Sequence, residues 1–85
     1  MEEKEIGFVE HYFGKAMVAA IKLKKGGLKV GDTIHIKGHT SDFTQVIASI
    51  QIDHKPVTEA KKGSDIGIKV KDHARENDTV FLVTV

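Results

Sequence analysis

Leu28-Lys29-Val30-Gly31-Asp32-Thr33-Ile34-His35-Ile36-Lys37-Gly38 decides the fold class of this 85-residue chain. Gly31-Asp32 is a turn pair. The residues after it place Ile34 and Ile36 on one face and His35 and Lys37 on the other, the period-two pattern of a half-buried strand. A second stretch, Ser49 to Val70, repeats the device: Gly63-Ser64-Asp65 turns the chain, and Ile66, Ile68 and Val70 alternate with Gly67 and Lys69. Helical periodicity is hard to find anywhere.

Outward from these stretches the same reading continues. Ile6 and Phe8 alternate with Gly7 and Val9, and Gly14 supplies a positive φ at a hairpin tip. The next strand puts Met17, Ala19, Ile21 and Leu23 on one face. A long strand follows the polar loop Gly38 to Asp42, with Val46, Ala48, Ile50 and Ile52 on one side, and Pro56 ends it by removing a ladder donor. Val57 to Lys62 is a connector with room for a short helical turn. Thr79 to Val85 is the last strand. About six strands at turn spacing predict an all-β fold, a small closed six-stranded antiparallel barrel, in one domain spanning residues 1–85.

Composition sets bounds. Thirteen Lys and Arg against twelve Asp and Glu leave a net charge of +1, so nucleic-acid contact would need a local basic patch. With no cysteine the core must hold the fold unaided. The acidic start Met1 to Glu5 and the short longest apolar run, Ala16 to Ile21, point to a cytoplasmic protein without a membrane span.

The spacing of Gly14, Val18, Gly26, Leu28, Val30, Gly31, Asp32 and Gly38, then Glu59-Ala60, Gly63, Ile66 and Gly67, resembles domain II of elongation factor Tu and bacterial initiation factor two, over roughly residues 6 to 84. The resemblance implies a Greek-key barrel of the translation-protein domain II type, and a translation elongation factor-like binding module that contacts tRNA, rRNA or a translation-related partner. Lys15-Ala16 stands where that family carries Arg-Gly, and Gln51 where elongation factor Tu carries Glu. Asn77 replaces a turn glycine, which Asn tolerates because it visits left-handed φ. No Gly-x-x-x-x-Gly-Lys-Ser/Thr motif is present, so GTP binding is not expected.

Two segments are the candidate RNA- or partner-binding residues: the hairpin residues His11, Tyr12, Phe13 and Lys15, and the face formed by Gln51, Asp53, His54 and Lys55. Aromatic rings beside a cation can stack on an unpaired base or anchor a protein, while the plain reading turns one ring into the barrel end. Lys22, Lys24, Lys25 and Lys29 form a secondary basic patch, read either as phosphate contacts or as a solvated loop. Phe81 and Val83 of the last strand either are covered or offer an apolar strip to another protein or a second copy. The five histidines are too scattered for a metal site, and Ser41, Ser49 and Ser64 show no nucleophile elbow. The expectation is no catalytic residue, no metal, no cofactor and no enzyme. The rival reading is a protein-interaction accessory domain or subunit without nucleic-acid binding, as similar barrels are found in collagenase-like peptidases.

Overall fold

A computed structural model describes residues 2–84. Its ten strands are β1 (Glu2–Phe13), β2 (Val18–Leu23), β3 (Leu28–Lys29), β4 (Thr33–Lys37), β5 (Asp42–Val46), β6 (Ile50–Ile52), β7 (Lys55–Val57), β8 (Glu59–Ala60), β9 (Asp65–Lys69) and β10 (Thr79–Thr84). Eight form one antiparallel sheet in the order β5-β4-β10-β1-β2-β9-β6-β7, and β3 pairs with β8. The all-β, antiparallel expectation holds.

Closure into a barrel is not found: β5 and β7 end the sheet, and no ladder joins them among the described residues. The sheet coils instead through β1, whose register shifts between Glu5 and Gly7 against β10 and again between Val9 and His11 against β2. Each bulge adds a residue to one strand and increases its twist. The first bulge leaves the Ile6 carbonyl to accept from the N–H groups of both Lys24 and Lys25.

The coiled sheet wraps an isoleucine-rich core. Ile6, Ile21, Ile34, Ile36, Ile47, Ile50 and Ile68 are essentially inaccessible. Branched side chains suit this setting because they are stiff at χ1 and pack well on a pleated surface. No buried side-chain nitrogen or oxygen among the described residues lacks a hydrogen-bond partner.

Several local expectations need correction. The long strand through Val46 and Ile52 is broken after Val46, which is exposed, and Ile47 turns into the core instead. The cause is a backbone exchange: the Ile47 N–H donates to the Asp32 carbonyl, and the Gly31 N–H donates to Ile47. Gly31, at φ 97°, makes that approach in a conformation open to glycine. Pro56 does not end a strand but lies inside β7, an edge strand where a missing N–H costs no ladder bond. The connector after it forms β8, not a helical turn.

At the first hairpin the left-handed residue is Met17 (φ 52°), not Gly14, and Met17 is exposed rather than part of the inward face. Asn77 does take left-handed φ, at 71°. No helix among the described residues is long and apolar enough to cross a membrane.

Candidate functional site

The two candidate segments meet on the outer face of β1, β2, β9 and β6. Antiparallel pairing sets Phe13 opposite Val18, Val18 opposite Lys69, Ala20 opposite Gly67, and Gly67 opposite Gln51. Along β2 and β9 the odd and even positions divide cleanly. Ala19, Ile21, Ile66 and Ile68 go to the core, which leaves Val18, Ala20, Asp65, Gly67 and Lys69 outside. The centre of that outer face therefore carries only Ala20 and Gly67, and the missing side-chain volume leaves a trough.

Two hollows occupy the trough and share Val18, Gln51 and Gly67. One, about 410 Å³, reaches Lys15, Ser49 and Lys69. The other, about 270 Å³, reaches Phe13, Asp53, His54 and Asp65. One end of the groove is thus basic, the other acidic, and the middle is small and apolar. Phe13, half exposed, forms a wall and packs edge-on against His11 with ring centroids 4.5 Å apart.

Electrostatics sharpen the acidic end. Lys22 Nζ lies 3.5 Å from Asp65 Oδ1 and also donates to the Gly63 carbonyl. The Glu10 carboxyl is held above its ordinary value, first by the hydrogen bond it shares with Asp65, then by burial and by the Asp65 charge, while Lys22 opposes the shift. Two carboxylates therefore compete for one ammonium.

The remaining candidates are placed apart. Tyr12 leaves Phe13 and packs on the core, edge-on to His73 at 4.6 Å. His11 faces Glu76 at 3.5 Å. Lys55 is exposed on β7, beyond the trough lining. The basic patch is dispersed: Lys22 pairs with Asp65, Lys25 lies 3.4 Å from Glu5, and Lys24 sits 5.4 Å over the Phe8 ring. Lys29 borders a separate hollow of about 380 Å³ with Asp32, Glu59, Lys61 and Lys62. Phe81 and Val83 are half buried, and Phe81 is tilted against His35 at 5.9 Å.

Sequence reasoning missed Val18, Ala20, Asp65, Gly67 and Lys69 as parts of the groove. The available signal was the pair of small residues at outward parity, Ala20 and Gly67. It also missed a charged cluster on the opposite half of the sheet. His35 Nδ1–H donates to Glu3 Oε2 at 2.8 Å, and Nε2–H to Asp42 Oδ1 at 2.5 Å. Those two hydrogen bonds, that to Asp42 first, raise the His35 pKa, and the bond to His35 lowers that of Asp42. Among the described residues no group of three or more His, Cys, Asp or Glu could hold a metal ion.

Over 80 residues, 93% of its length, the chain is 45% identical to an uncharacterized protease of Methanocaldococcus jannaschii. It is 34% identical over 71 residues to a collagenase of Porphyromonas gingivalis. The chain spans about a fifth of their length, 19% and 20% respectively. Its fold is that of the C-terminal domain of a Geobacillus thermoleovorans protein assigned as a U32 peptidase. Two crystal structures of that domain superpose with TM-scores of 0.84 and 0.87, at 21% and 20% identity, covering 91% and 95% of this chain and 96% and 93% of theirs. No protein-family model matches the chain.

These findings overturn the resemblance to elongation factor Tu domain II, and with it the translation-factor and RNA-binding expectation. The physical reason is that the shared glycines are shape positions. Gly31 and Gly63 hold left-handed turns, so they specify how such a sheet bends rather than what it binds. The expectation of no enzyme is corrected too, because the relatives are named a protease and a collagenase.

Proposed function

We propose that this chain works as part of a peptidase of the U32 kind, as the counterpart of its C-terminal domain, and holds polypeptide for that enzyme. The observation that carries this reading is the 45% identity to an archaeal protease sustained across 93% of the chain. The C-terminal-domain fold supports it, and so does a groove lined by an aromatic ring, small apolar residues and both signs of charge. Such a lining suits polypeptide, which offers side chains of all three kinds. One domain spanning residues 1–85 and a cytoplasmic location belong to the same proposal, as does the finer view of the coiled sheet as a six-stranded Greek-key barrel. That view is supported by bonds bridging the open side, where the Gln45 side chain meets the backbone of Lys69 and Lys71.

The test is a graft. The 71-residue matching segment of the Porphyromonas gingivalis collagenase is deleted or replaced by this chain, and collagen cleavage is followed. Deletion should reduce cleavage at least tenfold, and the graft should restore most of it. Unchanged cleavage after deletion, or a folded graft with no recovery, would overturn the reading.

A further inference from the structure

The trough over Ala20 and Gly67 has a property that packing does not require. A Cβ added at Gly67 would meet only the Val18 Cγ1, at 3.6 Å, which is ordinary contact. The residue also does not need glycine's left-handed backbone, because Gly31 and Gly63 are the glycines with positive φ among the described residues. Glycine inside a strand weakens it, since it brings no side chain to pack and loses the most backbone entropy. The fold would accept a larger residue here. What the glycine preserves is the open groove.

The groove is charged at its ends and apolar at its centre. Lys15 and Lys69 stand at one end, Asp53 and Asp65 at the other. At the acidic end Glu10 adds a third carboxylate, and Lys22 is the ammonium already engaged with Asp65. From Asp65 to Lys69 is four residues of β9, roughly 13 Å at about 3.3 Å per residue. An extended segment laid along β9 spans that distance with the same number of residues.

The backbone around the groove is also held in uncommon conformations. Met17, Asp53 and His54 have φ of 52°, 52° and 64°. For non-glycine residues such conformations carry a cost, and they concentrate at ligand clamps and similar sites. Three of the four non-glycine residues with positive φ among the described residues border this one groove or its hairpin.

Resting on the peptidase reading above, we propose that this groove binds an extended polypeptide segment with a basic side chain at Asp53 and Asp65 and an acidic group about four residues away at Lys15 and Lys69. The aliphatic stem of the basic residue lies on Ala20 and Gly67 against Phe13, and its cationic head relieves the crowding of carboxylates at that end. Complementary charge at both ends sets the spacing of the motif, while the floor adds little preference among small apolar residues between them.

Fluorescence anisotropy with labelled eight-residue peptides tests this. A peptide with Arg and Glu four positions apart should bind the chain at least tenfold tighter than versions with either charge replaced by Ala, and tighter at low salt. Gly67→Val should weaken that peptide at least tenfold without lowering the urea midpoint. Lys69→Glu should lose the Arg–Glu peptide but gain one with Lys in place of Glu, a rescue that an unfolded variant could not give. Equal binding of charged and neutral peptides, unchanged binding by Gly67→Val, or no binding at millimolar peptide would overturn the proposal. If collagen cleavage by the graft survives Gly67→Val while the peptide result fails, the groove is wrong and the peptidase reading stands. A failed graft with intact peptide binding separates them the other way.

Discussion

The side-chain amide of Gln45 gives Lys69 the partner that no strand supplies: Gln45 Nε2 donates to the Lys69 carbonyl at 2.9 Å. Its Oε1 accepts from the Lys71 N–H at 2.8 Å, so one amide satisfies a donor and an acceptor of the backbone just as a ladder would. The link ties the β5 edge to the end of β9 across the open side of the sheet. Gln45→Ala should cost about 1–2 kcal/mol, two hydrogen bonds discounted for partial solvent replacement. Urea unfolding measures the loss, and hydrogen exchange at the Lys71 amide should accelerate. Gln45→Glu should lose as much, because a carboxylate cannot donate to Lys69 and would repel its carbonyl oxygen.

The His35 cluster makes stability depend on pH. A histidine whose pKa is raised on folding contributes stability that is fully present below its unfolded value, 6.5, and is lost as pH climbs through the folded value. Asp42, lowered on folding, contributes above its unfolded value of 3.8 and loses that contribution as pH falls through the folded value. The charged groups around His35 are Glu3 and Glu5 of β1, Asp42 of β5 and Lys37 of β4, since β10 presents Phe81 and Val83 there. The contribution of the His35–Asp42 pair, read as the difference in thermal midpoint between the protein and His35→Gln, should therefore be level between about pH 4 and 6.5 and decline above that. A difference that stays level as pH climbs further would assign any decline in the protein to another group.

Much of the fold was legible because period-two alternation and turn glycines are local signals. Ile34, Ile36, Ile66 and Ile68 lie inward as their parity predicts, and Asn77 takes the left-handed turn. The break at Ile47 was not legible, because a backbone exchange with Gly31 and Asp32, some fifteen residues away, creates it. Half of the groove was visible as two segments, Phe13 to Lys15 and Gln51 to His54. Their meeting depends on β9 lying between β2 and β6, a register that no local pattern encodes. The likeness to peptidase domains was legible only as the rival reading, because glycine spacing reports how the sheet bends, and proteins of different function bend sheets alike.

The two-residue turn Asp53-His54 has positive φ at both positions, the arrangement that favours glycine at the second. Histidine there pays the left-handed penalty without a compensating buried contact, because His54 is exposed. His54→Gly should raise stability by about 0.5–1 kcal/mol, the left-handed penalty less the added freedom of glycine in the unfolded chain. Met17→Gly should act in the same direction and by a similar amount. The shift in urea midpoint at constant slope is the measurement, and a loss of stability in both would show that these side chains hold the turns by contacts of their own.

Gly38 and Gly67 should respond oppositely to the same substitution. A Cβ at Gly38 would overlap the carboxylate of Asp78, which is buried and accepts from the Arg75 N–H at 2.9 Å. Moving that carboxylate breaks the turn bond and leaves a buried charge without its donor, so Gly38→Ala should cost about 2–4 kcal/mol. For a domain of this size 2 kcal/mol lowers the melting temperature by roughly 8–16 °C. At Gly67 the added methyl meets ordinary contact, and alanine restricts the unfolded chain, so Gly67→Ala should leave stability unchanged or raise it by up to about 1 kcal/mol. Calorimetry on the two variants separates a glycine that the fold demands from one that only the groove does. Equal losses at both positions would mean that Gly67 is a packing residue and that the trough is incidental to it.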